Sequence, residues 1–577
     1  TASSPTRLAL TLDGKYDAMP VQIIGTFGGL VGLTDPTRVW SVSLTAKAPV
    51  ANVTIKGMIQ DVLHGKGLTL NIKATGESVQ NLLALFHAPN IAEMGPFEIA
   101  GTLTDNRGTL AATELALQIS VGGTTHLRLA GTIQDIAGLE GVDTRFSIEG
   151  NDVADLEPFF KKPLPFQGAF HMTAHALKPA KKPWRFVDLA VTAGKSVLKG
   201  SADLDLNGER PQLAADLSFQ VLDLRPFLSR PQGGPPPPVT ATCRPEKKRE
   251  KVFSDTPFSF TGLQELNATV DLRVDQTLLP WLVFDDLTAR AVLHEGHLQV
   301  RPFKGTAGDG TVEASVDLEA GRDPPKIGFV LNTHRFDLGQ VLKTLGIEGV
   351  LEGKLDVEFD LAGQGNSVAA LMASLNGTGV VVMDQGKIND RMIGLLRGGL
   401  KDIIHMISQA EKQTKYTQIN CLVVGLDITQ GLVQSTALVL DTSDVTLSGH
   451  GEIDLATEGL DVSLKPTPKK GVGIKGLGKL SLSLGQLTKP LKLGGTLANP
   501  SVAIDASGTM LTLGKAIGGV ALLGPVGLAA ALAGGKLGNQ DPCAAAVQAA
   551  KARSAQPQAG RAYSPEKGET QDTPSVP

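Results

Sequence analysis

The stretch "VTIKGMIQD" at 53–61 is answered by "LRLAGTIQD" at 127–135, in the same pattern and 74 positions further on. Each alternates up to a glycine and then closes on Ile-Gln-Asp. A period of two belongs to a β-strand, whose side chains point to opposite faces in turn. Stated twice at a fixed interval, it marks a repeated β unit.

Longer copies surround the pair. Segments 68–105, 144–177, 200–228 and 314–363 each give a strand, a turn, a second strand, a short Leu/Phe-rich helical piece and a return to alternation. Anchored on Leu70, Phe146, Leu217 and Phe329, the intervals are 76, 71 and 112 residues. The long interval holds "RPQGGPPPPVTATCRPEKKREK" (230–251), whose proline and charge predict a linker or loop. Such units stack on their neighbours in a solenoid-like array. At about five strands per unit and roughly 4.8 Å per strand, each repeat adds about 24 Å.

The alternation recurs down the chain. "LEGKLDVEFDLAG" (351–363) sets Leu351, Leu355, Val357, Phe359 and Leu361 against Glu352, Lys354, Asp356, Glu358 and Asp360. "VTLSGHGEIDL" (445–455) sets Val445, Leu447, Ile453 and Leu455 against Thr446, Ser448, His450, Glu452 and Asp454. Further up, Leu127, Leu129, Ile133, Phe146 and Ile148 take the apolar side. The fold class expected is mainly β: an elongated, repetitive, twisted open antiparallel groove with a few short covering helices. Two stretches carry a helical period instead, "SVAALMASL" (367–375) and "NDRMIGLLRGGLKDIIHMISQAEKQ" (389–413). The second gathers Met392, Leu395, Leu396, Ile403, Ile404 and Ile407 on one side, with Asn389 or Asp390 as N-cap, and is expected to cover an apolar sheet face.

Composition excludes several functions. With 577 residues the chain holds about four average domains or one long repetitive body. A net charge of −4 from 54 basic and 58 acidic residues leaves no electrostatic footprint for nucleic acid. Aromatics at 4% argue against stacking platforms, and 66 glycines fit many tight turns. Cys243, Cys421 and Cys543 are too few and scattered for a zinc site or a disulfide framework; one pair can form in an oxidising compartment, and the sequence does not say which. The chain opens on "TASSPTRLALTLDGKYD", already alternating and without a signal peptide, as expected if an upstream segment was removed or lies outside it.

The chemical motifs fail on context. "GVGIKGLGK" (471–479) contains a formal GxGxxG, but a strand follows it rather than a helix, and Leu480 stands where a P-loop needs Ser or Thr. His294 with His297, and His171 with His175, lie beside turns or on polar strand faces, away from any helical metal arrangement. Asp285, Asp286, Asp203 and Asp205 fall on solvated faces, and no nucleophile setting is present. No catalytic residue, metal or cofactor is expected. "AIGGVALLGPVGLAAALAGG" (516–535) carries no charge over twenty residues, but its glycines and Pro525 argue against a straight span. It reads as a membrane-dipping hairpin or a cap over the sheet end, followed by a polar, disordered tail.

Four segments carry a family likeness: 351–390, 424–466, "LKLGGTLANPSVAID" (491–505) and the closing "ALLGPVGLAAALAGG" with "DPC" (521–543). From about 257 to 545 the chain resembles the C-terminal region of the AsmA-like family of bacterial envelope proteins; the N-terminal 230 residues share only the repeat style. The resemblance implies a bridge-like groove lined with aliphatic residues, phospholipid or another acyl lipid as its cargo, and a role between inner and outer membranes or in outer-membrane assembly. It further implies a periplasmic location, an inner-membrane anchor upstream of this chain and contacts with other envelope proteins. It carries no catalytic residues across. The domain plan is therefore N-terminal β repeats (1–229), a Pro-rich linker (230–256), the AsmA-like groove (257–510), an apolar segment (511–540) and the tail (541–577). Rival readings are a structural β-scaffold of an envelope complex and an assembly factor for outer-membrane proteins.

Overall fold

The computed structural model describes residues 7–16, 19–30, 32, 35, 37–85, 94–106, 108–157, 168–228, 251–280, 282–344, 349, 351–389, 416–469, 491–504 and 541–554. The expected covering helix beyond Asn389, with Met392, Leu395, Leu396, Ile403, Ile404 and Ile407, lies outside them, as do "GVGIKGLGK" and the 516–535 stretch. Two units divide the chain: Thr1–Cys243 with Ser259–Arg322, and Arg244–Phe258 with Asp323–Pro577. Both are open β-sheets, so the mainly β, open-sheet expectation holds.

In the first unit β1 (Leu8–Tyr16), β2 (Met19–Phe27), β3 (Trp40–Ala48), β4 (Ala51–Asp61) and β5 (Lys66–Gly76) lead into α1 (Val79–Leu85). Then β6 (Phe97–Asn106), β7 (Thr109–Val121), β8 (Thr125–Asp135) and β9 (Glu140–Gly150) lead into a 3₁₀ turn, Val153–Leu156. Next β10 (Phe170–Lys178), β11 (Trp184–Ala193), β12 (Ser196–Asp205) and β13 (Gln212–Asp223) lead into α2 (Arg225–Leu228). After α3 (Thr261–Gln264) come β14 (Asn267–Leu278), β15 (Val283–His294), β16 (His297–Ala307) and β17 (Gly310–Glu319). Each strand pairs with the next. Helical pieces after β5, β9 and β13 set the repeat between them at four strands, not the five expected, or about 19 Å of sheet.

The repeated words now have physical reasons. Gly57 on β4 and Gly131 on β8 sit where the next strand's backbone comes close: a Cβ there would lie 2.0 Å from Thr69 O and 2.1 Å from Asp143 O. The aspartates cap the following turns, Asp61 accepting from His64 N and Asp135 from Ala137 N and Gly138 N. Gln60 and Gln134 lie against Gly67 and Gly141, whose φ of +62° and +61° suits glycine. Bulges mark the same period. Glu114 on β7, Asp188 on β11 and Asp286 on β15 each take φ near +50° at a register shift.

The ladder is antiparallel except at β13–β14, which is parallel in register from Gln212↔Asn267 to Asp223↔Leu278. This departs from the all-antiparallel expectation. Parallel neighbours need a connection too long for a hairpin, and residues 224–266 separate the two strands in the sequence. Just after the Pro-rich insert, Val252 N and Phe253 N donate to the buried Glu458 carboxylate at 2.7–2.9 Å, all within the second unit.

The second unit holds β18 (Lys326–Asp337), α4 (Leu338–Thr344), β19 (Leu351–Gln364), α5 (Val368–Ala373), β20 (Asn376–Asn389) and β21 (Tyr416–Thr429). It continues with β22 (Leu432–Thr442), β23 (Val445–Asp454), β24 (Gly459–Pro468), β25 (Leu491–Gly495), β26 (Pro500–Ile504) and α6 (Pro542–Ser554). The short α5 falls in the expected 367–375 stretch and is capped by Ser367, whose hydroxyl accepts from Ala370 N. Residues 542–554 depart from the expected tail: they form α6, bonded to β21 by a Cys421–Cys543 disulfide.

Candidate apolar groove

Register decides whether separate greasy strands add up to a surface. In the first unit they do. One row runs through Leu12, Ile23, Ala46, Val53, Ala74, Ile99, Leu117, Leu129, Phe146 and Ala174, one residue from each strand β1–β10, every neighbour in direct register. A second runs Ile119–Leu127–Ile148–Met172–Val191–Leu198–Phe219–Val274–Leu287 over β7–β15 and crosses the parallel pair unbroken. Parity survives that crossing because parallel partners are offset by a constant number of residues.

Exposure varies along these rows. Leu127, Leu129, Ile133, Phe146 and Ile148 are half-buried, Leu12 is 47% exposed and Val274 only 2%. One edge is shut: Val79 and Leu82 of α1 pack with Phe97, Ile119 and Val121, and Val153 of the 3₁₀ turn is buried. These helical pieces follow β5, β9 and β13, which run in one direction, so they share an edge of the sheet.

The opposite face is polar and held by cross-strand ion pairs. Arg128 pairs with Glu149, Arg185 Nε with Asp203 Oδ1 at 3.0 Å, and Lys304 Nζ with Glu313 Oε1 at 3.0 Å. Arg128's hydrogen bond holds the Glu149 carboxyl below the usual carboxylate range. A cleft of about 630 Å³ opens against this polar face, with Ala100, Ala116, Ala130, Glu98, Arg145 and His175 among its lining residues. Leu117, Leu129, Phe146 and Ala174 of the first apolar row also line it. Neither the cleft nor its alanine floor was singled out from the sequence, because small residues on a polar face leave no periodic signal.

In the second unit the apolar face is in register but closed. Leu355, Met383, Leu422, Leu440 and Leu447 form one row across β19–β23. Leu355 packs with Met383, Ile388 and Ile419, joined by Leu351, Val357 and Leu338 of α4. Leu361, Ile453 and Leu455 pack round Leu375, Ile428 and Val433. The Phe359 ring lies over Gly379, where a Cβ would be 2.5 Å from it. Leu355, Val445 and Leu447 are buried, so these positions are core rather than open lining.

Among the described residues no group of His, Cys, Asp or Glu could hold a metal, and no helix is long and apolar enough to cross a membrane. What remains is a class of protein defined by a repeating sheet with a registered apolar face. The chain belongs to the AsmA family, whose family model matches residues 54–438. Members of that family are proteins of the cell envelope. One curated relative, the AsmA family protein YhjG of Escherichia coli (strain K12), is 23% identical over 420 residues, which is 70% of this chain and 58% of that protein. No solved structure matches.

Proposed function

We propose that this chain binds acyl lipid along its apolar face and passes phospholipid between the inner and outer membranes, from a periplasmic position, in outer-membrane biogenesis. The observation that carries the reading is the half-buried apolar row that continues in register from strand to strand through the first unit. An acyl chain exposed to water costs roughly 0.8 kcal/mol per methylene, about a dozen kcal/mol for a sixteen-carbon tail. A continuous aliphatic face lowers that barrier at every step while the headgroup stays wet. The work is carriage without a chemical step. An inner-membrane tether upstream and other envelope proteins at either end are part of the same proposal. The disulfide supports an oxidising compartment such as the periplasm.

Mass spectrometry of lipid co-purified with the intact chain, without detergent, tests it. Several phospholipids per chain are expected of a continuous groove. None, with the fold intact, overturns the reading. A second reading, a closed structural scaffold, draws on Met383, Val423 and Val439 of the second unit, which are almost wholly buried.

A further inference from the structure

A groove leaves one apolar patch unused. Strands β20–β22 are apolar on both sides. Leu422 and Leu440 face the row described above, while Val380, Cys421, Val423, Ala437 and Val439 face the side that elsewhere carries Glu358, Asp360 and Glu452. Among the described residues α6 covers that second patch, laying Ala546 and Ala550 on it with Val547 and Ala549 beside them. The fit is close. A Cβ on Gly425 would lie 2.8 Å from Ala550 Cβ. Beside Gly425 the Thr436 hydroxyl is buried, with no hydrogen-bond partner among the described residues.

The disulfide is the covalent tie between this helix and the sheet. An isolated helix of thirteen residues is marginal in water. Its contact side is mostly alanine, which buries little area per residue. The Lys551–Glu358 ion pair, at 2.8 Å, has both side chains about half exposed, a setting in which pairs contribute little. The bond ties Cys543 to Cys421, a partner 122 residues back in the sequence.

We propose that α6 is a releasable cap over the apolar face of β20–β22, seated or free according to the thiol–disulfide state of Cys421 and Cys543. Opening needs a dithiol reductant. Its thiolate attacks Sγ of Cys543, the less buried sulfur, and Cys421 leaves as a thiolate that takes a proton from water. The reductant's second thiol then displaces Cys543 and closes its own disulfide. Two electrons pass to the cysteines, leaving two thiols.

Hydrogen exchange on the full chain, with and without dithiothreitol, tests this alongside binding of an apolar dye. On reduction the α6 amides are expected to lose their protection and dye binding to rise, while β20–β22 stay protected. Protection of α6 that survives reduction overturns the proposal. So does loss of protection throughout the second unit, since the bond then braces the sheet itself. Gly425→Leu gives an independent check: with the disulfide intact it should lift the helix and raise dye binding, and an unchanged dye signal counts against the cap.

Discussion

Gly131 faces the carbonyl of Asp143 across the β8–β9 ladder so closely that a methyl group on it would sit 2.1 Å from the oxygen. Its φ of +153° adds strain for any side chain. Gly131→Ala is therefore expected to lower the stability of the first unit by about 2 kcal/mol or more. Gly65, at φ +62° but with open space around it, is the control, and Gly65→Ala should cost only about 1 kcal/mol. Urea midpoints of the two variants check the order.

Substitutions along the apolar face should separate groove from core. Leu129 is half-buried, so Leu129→Asp is expected to cut co-purified lipid several-fold with the circular dichroism spectrum unchanged. Leu355, at 9% exposure among Met383 and Ile419, should behave differently. A carboxylate there is buried without a partner, and Leu355→Asp should unfold the second unit. Equal loss of fold in both variants counts against an open groove in the first unit.

Asp441 makes the second unit acid-sensitive in a defined direction. Burial pushes its carboxyl up, but hydrogen bonds from Lys469, Thr446 and Asn420 outweigh that and hold it below the usual 3.8. A depressed folded value means the stabilisation is present above the ordinary pKa and is lost as pH falls through the folded one. The contribution of Asp441 to the melting temperature should be constant between pH 7 and 5 and fall away below about pH 4. Asp441→Asn turns an amide toward the donors of Lys469 and Asn420, destabilises the unit by roughly 2 kcal/mol and flattens that acid limb.

Glu458 gathers the amides of Val252 and Phe253 in three hydrogen bonds. Glu458→Ala leaves these donors unmatched, at about 1–3 kcal/mol. Faster hydrogen exchange and new proteolytic cuts around 252–258 are the expected readout. Unchanged protection would show that the Phe258 N–Asn366 O and Ala369 N–Ser254 O bonds hold the segment without it.

Legibility in the sequence follows what periodicity encodes. The faces of Leu127, Leu129 and Phe146 were readable because a period of two fixes which side chains share a side. The repeat was readable because the Gly, Gln and Asp of its turn each meet a local backbone demand. The parallel β13–β14 pair was not, since alternation is the same in either strand direction. Nor was closure at Leu355 and Leu447: a strand pattern shows which face is apolar, not what lies above it. The Cys421–Cys543 pairing joins positions far apart in the chain, beyond any local signal. The α6 helix was masked by the polar composition that follows it, although the Ala546/Ala550 spacing was there to be read.

Gly57 and Gly131 stand four strands apart on strands that run the same way, each followed by the same turn. Splicing Gly57 directly to Thr132 would therefore read "VTIKGTIQD" and preserve direction, face and turn chemistry at the joint. Span is quantised here. Evolution or an engineer can lengthen or shorten this protein in whole increments of about 19 Å, much as carriages are coupled to a train, whereas removing a single strand would reverse every later one. Length then becomes a number of modules, adjustable without redesigning any of them.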